Sequence, residues 1–111
     1  MARAHQPLVL RPARLPLPAP RRHPDPGAPG TLLDNTLVLW TNELGQGNSH
    51  TLDNIPFVLV GGGLDFHMGR SLRYRQVPHN RLLLSLAHGF GHRITRFGNP
   101  DFCAQGVLPL A

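Results

Sequence analysis

Residues 30–63 read GTLLDNTLVLWTNELGQGNSHTLDNIPFVLVGGG, and this stretch decides the fold. Residues 36–41 (TLVLWT) form a continuous apolar run, as expected of a strand buried on both faces. Residues 55–60 (IPFVLV) form a second such run, with Pro56 tolerable only at its beginning. Between them, residues 42–54 are polar, and Gly45, Gly47, Asn48 and Asn54 are turn formers. Gly61-Gly62-Gly63 ends the second run abruptly. Two apolar strands flanking a polar loop that carries Glu43 and His50 match the way a parallel α/β enzyme presents ligands at a sheet edge.

Toward the C-terminus, residues 64–77 suggest an irregular hairpin, with Leu72 and Tyr74 alternating against Arg73 and Arg75. Pro78-His79-Asn80 then opens a helix of about ten residues. Leu82, Leu83, Leu86 and Phe90 are its expected apolar face, and Gly89 and Gly91 its terminators. From His92 onward the text is loop-rich, with Phe97, Phe102 and Leu108 as expected packing anchors. No internal repeat is visible.

Toward the N-terminus the character changes. Residues 1–30 hold eight of the twelve prolines, which remove backbone donors and bias their predecessors away from helix. The segment is expected to be extended or disordered, with order beginning near Thr31. Its Arg/Pro/Ala text is also what a misplaced start codon or a frameshift in GC-rich DNA produces. The division is therefore a 1–30 segment, read as not native to the domain, and a partial domain over 31–111.

The basic excess belongs to that first segment. Arg3, Arg11, Arg14, Arg21 and Arg22 stand there against Asp25 alone, while residues 31–111 carry six arginines against five acids. All eleven basic residues are arginine, which points to GC-rich coding more than to an evolved nucleic-acid surface. No specific nucleic acid is expected as partner; a basic tail would bind phosphates in a salt-sensitive, nonspecific way. Cys103 is the sole cysteine, so an intrachain disulfide or a cysteine-based zinc cluster is excluded, and a packed thiol is expected. No apolar run approaches the roughly 20 residues that span a bilayer. Arg21-Arg22 resembles a twin-arginine pair, but His23-Pro24-Asp25-Pro26 follows where an apolar segment should, so no export signal is read.

Glu43 and His50 are the residues with the spacing of a site. A carboxylate and an imidazole beyond a strand end suit zinc or another divalent transition metal, and serve equally as a base and its orienter. The plain alternative is a solvated loop. The glycine triplet lacks the GxGxxG spacing and reads better as a tight strand exit than as an anion nest. His88 and His92 suit a helix-end polar role. His67, Arg70 and Arg73 form a weak candidate anion site beside the glycines. Ser49, Ser71 and Ser85 sit in no GxSxG elbow, so no nucleophile is identified.

The runs LLDNTLVLWTNELGQGNSHTLDNIPFVLVGGG, GRSLRYR, NRLLLSLAHGFG and RFGNPDF resemble the C-terminal part of the HXXSHH family. These are uncharacterised, mostly exported bacterial proteins related to the alkaline phosphatase and sulfatase superfamily. The resemblance covers roughly residues 30–110, and its most specific piece is the strand, then E-L-G-x-G-N-S-H, then a second strand ending in glycines. It implies an alkaline-phosphatase-like α/β fold, here as a C-terminal fragment comprising two buried strands, an irregular hairpin and one helix. It further implies Glu43 and His50 as metal ligands, with Asn48 and Ser49 supporting them. A divalent metal, zinc or similar, would serve phosphate- or sulfate-ester hydrolysis in the full-length family.

The family's naming motif, the upstream half of its sheet and a superfamily nucleophile are absent, so the chain is expected to be catalytically incomplete and to need the missing upstream part as partner. A small interaction module with an Arg/Pro tail, and a small metal-binding protein using Glu43, His50 and another histidine, are the other readings. Strands built for burial on both faces, with one helix to cover them, predict an apolar face in water and marginal stability.

Overall fold

The computed structural model describes residues 22–111. The Arg/Pro-rich stretch of residues 1–21, and the tail readings that rest on it, lie outside the described residues. Hydrogen bonding starts earlier than the expected onset at Thr31. Pro24 pairs with Thr31 in an isolated antiparallel bridge, and the amide of Leu32 donates to His23 O at 2.9 Å. Asn35 Nδ2 then ties Asp25 Oδ2 (3.0 Å) and Pro29 O (2.9 Å) to the same turn. Proline forbids helix here, but side-chain amides can still close an irregular turn.

The two apolar runs form strands where expected, β1 (Val38–Thr41) and β2 (Phe57–Val60), but they pair antiparallel. Val38 faces Val60, Leu39 faces Leu59, Trp40 faces Val58, and Thr41 faces Phe57. This corrects the parallel arrangement expected from the sequence. A parallel pair needs a crossover, usually helical, of a dozen or more residues. Residues 42–56 contain no helix and turn back on themselves instead.

The pairing also divides the strands into two faces of unequal fate. Leu39, Phe57 and Leu59 are half-buried, whereas Val38, Trp40, Val58 and Val60 look outward into solvent. Trp40 is 69% exposed at the middle of that face. Burial on both faces, as the continuous apolar runs imply, is therefore not realised among the described residues.

Beyond β2 the glycine triplet packs directly on the turn before β1. The amides of Gly62 and Gly63 donate to Leu33 O (2.9 Å) and Thr36 O (3.1 Å). Gly61 has φ +113°, and a Cβ there would run into Thr36 O. Only glycine combines that conformation with that approach. Residues 64–77 contain no strand, which corrects the irregular hairpin; Leu72 and Tyr74 are exposed like Arg73 and Arg75. With no partner ladder on either side among the described residues, the alternation has nothing to act on.

Helix α1 (Asn80–Gly89) has the expected length. Its end is a Schellman motif: the His92 amide reaches Ala87 O and the Gly91 amide reaches His88 O, both at 2.9 Å, with Gly91 left-handed at φ +85°. Of the expected face Leu82 is buried, Leu83 and Leu86 are half-buried and Phe90 lies in solvent, while Leu84 and Ser85 are buried in addition. The face shifts because the C-terminal segment lies along the helix. Arg81 donates from Nε to Gly106 O (2.7 Å) and from Nη2 to Val107 O (3.2 Å) and Gln105 O (3.3 Å). Leu82, Leu108 and Leu110 then form the core cluster, with Phe57, Leu59, Phe66 and Val77 packed against it. Of the three expected anchors only Leu108 is buried; Phe97 and Phe102 are exposed. A short 3₁₀ turn (Pro100–Phe102), capped by the Asn99 side chain, leads into buried Cys103.

Candidate functional site

Glu43 follows β1 by two residues, at the foot of the connecting loop. Its distal part is closed by the Gly45 amide donating to Thr51 O at 2.7 Å and by a bridge between Gln46 and Thr51. Gly45 is required there because Asp53 O occupies the space a Cβ would need. Residues 47–50 form the turn beyond that bridge, and His50 sits in it with left-handed φ +51°. Glu43 thus stands on the strand side of the closure and His50 on the turn side, both exposed. Ser49 Oγ is 2.8 Å from Gln46 Oε1, a contact inside the turn that does not engage His50. Asn48 is exposed beside it.

Among the described residues no three His, Cys, Asp or Glu side chains are placed to hold a metal together. Zinc takes four ligands in structural sites and three protein ligands in catalytic ones. Glu43 and His50 alone, on an exposed loop, do not fit a complete zinc or similar divalent centre. A self-contained metal-binding protein built on them plus another histidine gains no support from the fold.

The second candidate cluster is also redistributed. Arg70 donates from Nη2 to Leu110 O at 2.6 Å and from Nε to His67 O at 2.9 Å, so its guanidinium fastens the C-terminal segment. The His67 amide donates to the same Leu110 carbonyl at 2.8 Å. Arg73 is exposed. The glycine triplet is a strand exit, since the amides of Gly62 and Gly63 are spent on backbone carbonyls. His88 Nε2 lies 2.7 Å from Ile94 O, the helix-end role expected for it. Cys103 is a buried free thiol whose Sγ lies 3.1 Å from Phe97 O and 3.3 Å from its amide, the environment of a packed residue.

The sequence reading missed a groove of about 1280 Å³ between β2, the 66–77 loop and α1. Phe57, Leu59, Leu82 and Leu108 contribute its apolar floor, and Arg73, Arg75 and His79 stand along its rim. The His79 ring is stacked on Phe57, centroids 6.3 Å apart and planes 19° from parallel. Its sequence signal was the arginine-rich RSLRYR preceding an apolar helix. No helix among the described residues is long and apolar enough to cross a membrane. Comparison with family models, with characterised proteins and with solved structures returned no match.

Proposed function

We propose that this chain is the C-terminal portion of an HXXSHH-type, alkaline-phosphatase-like protein, catalytically incomplete by itself, whose sheet is finished by the remainder of the domain. The uncovered face of Val38, Trp40, Val58 and Val60 carries the reading. Full burial of such side chains contributes about 1.5–3 kcal/mol each. Half-exposed, the four together leave on the order of 4 kcal/mol unrealised, comparable to the lower end of a domain's whole stability. Mixed sheets commonly carry an antiparallel edge on a parallel body, so this hairpin suits the rim of a larger sheet. In that setting Glu43 and His50 would need further ligands from the upstream part to bind a divalent metal and polarise a phosphate or sulfate ester.

The test compares the 111-residue chain with a longer product that includes the residues encoded upstream. The longer protein should be monomeric, melt cooperatively and bind zinc in a manner lost in Glu43→Ala and His50→Ala, while the shorter one aggregates or melts broadly. A monomeric short chain with a cooperative melt above about 50 °C would sink the proposal.

A further inference from the structure

The groove beside α1 differs from the outer sheet face in having charge as well as apolar surface. Its rim and walls carry Arg70, Arg73 and Arg75 with His67 and His79, against Asp53 as the sole acid. Arg70 is occupied by the Leu110 and His67 carbonyls, which leaves Arg73 and Arg75 exposed with no ion pair among the described residues. At about 1280 Å³ the groove exceeds the roughly 300–1,000 Å³ typical of small-molecule pockets. One wall is β2 with the residues leading into it, the other is the irregular 66–79 loop, and α1 contributes Leu82 alone, a cleft into which an amphipathic segment can lay its apolar stripe.

We propose that this groove seats an acidic amphipathic segment of polypeptide, its apolar stripe on Phe57, Leu59 and Leu82 and its carboxylates toward Arg73 and Arg75. The inference deepens the reading above, since the remainder of the domain is the source of the segment. Carboxylate–guanidinium pairs at the rim orient the segment and exclude basic ones, while the apolar floor supplies most of the affinity. Arg73 and Arg75, two positions apart and without an ion pair among the described residues, in a lining with Asp53 as its sole acid, are the reason for choosing an acidic occupant over a neutral one.

The test uses the monomeric fraction of the 111-residue chain, isolated by gel filtration and assayed at low temperature, and labelled helical peptides of about 15 residues, long enough to form a helix on contact. One carries leucines three and four apart with glutamate elsewhere; the second replaces every glutamate with lysine. Anisotropy should show the glutamate peptide binding at least tenfold more tightly, with the difference shrinking as salt rises. The Arg73→Glu/Arg75→Glu variant should lose that preference at least tenfold. The Arg93→Glu/Arg96→Glu variant, equal in charge change but outside the groove, should keep it. Equal binding of both peptides, an equal loss in the control variant, or binding to anionic vesicles with none to the glutamate peptide would each overturn the inference. A photocrosslinker at Tyr74 in the upstream-extended protein separates the two proposals. Capture of an acidic upstream segment supports both, and capture of a non-acidic one overturns only the groove inference. An extended protein no more stable than the short chain overturns only the larger reading.

Discussion

The amide of Leu108 donates to Ser85 Oγ at 2.7 Å, and both residues are buried. The same hydroxyl lies 2.9 Å from Arg81 O and 3.2 Å from Leu108 O, so its one proton has an acceptor whichever way it turns. A serine inside the run LLLSLA is thus a fastening point between helix and C-terminal segment. Ser85→Ala strands the Leu108 amide without a partner. The expected cost is about 1–3 kcal/mol, read in the cooperatively folding, upstream-extended protein as a lower denaturant midpoint at unchanged slope. Unaltered amide exchange at Leu108 would show that the fastening is not made.

Arg81 holds three successive carbonyls, those of Gln105, Gly106 and Val107, with its Nη1 on Gln105 Oε1 at 2.9 Å. A planar fork can do this and an ammonium cannot. Arg81→Lys keeps the charge but should cost about 1–2 kcal/mol. Hydrogen exchange should rise across residues 105–107 before it rises in the hairpin. Uniform acceleration everywhere would mean the segment is no separate unit.

Gly61 meets the Thr36 carbonyl with φ +113°. Gly61→Ala adds both a left-handed penalty and a backbone collision, so the loss should exceed about 2 kcal/mol. Gly47→Ala, where no atom lies near an added Cβ, is the control and should be nearly silent. Paired thermal melts of the two variants, made in the upstream-extended protein, test the contrast.

Asp34 accepts from the Thr31 amide (2.8 Å) and the Thr31 hydroxyl (2.7 Å), and these bonds hold its carboxyl below the usual carboxylate range. The folded value lies under the unfolded one, so the contribution to stability is complete above about pH 4. It fades as pH falls through the lowered folded value. Carbon-detected titration of Asp34 should place its midpoint below that of a free aspartate, and Thr31→Ala should move it back up. A midpoint indifferent to Thr31→Ala would contradict the assignment.

Helix α1 was legible because its signals are local: Pro78 before it, Gly89 as its last residue and Gly91 just beyond it. The strands were legible as apolar runs, yet their direction was not. An apolar run reads the same in parallel and antiparallel sheets, and the decisive clue was the lack of a helical period in residues 42–56. Which helix residues are buried depends on where Leu108 and Leu110 return, a contact more than twenty residues away in sequence that periodicity cannot supply. Glu43 and His50 are close in sequence, but the Gly45–Thr51 closure leaves Glu43 on its strand side and His50 in the turn beyond it. The ties from Asp25 and Asn35 likewise lie beyond what proline content can report.

Trp40 is the sole tryptophan in the sequence, and it stands at the middle of the uncovered sheet face. The chain therefore carries its own optical witness. Indole in water emits to the red and is quenched by added iodide; indole under a packed layer emits to the blue and is shielded. One emission spectrum, taken before and after any partner is supplied, registers whether that face has found its cover. Ligands that enter the groove leave it unchanged, because Phe57 and Leu59 point to the other side of the sheet.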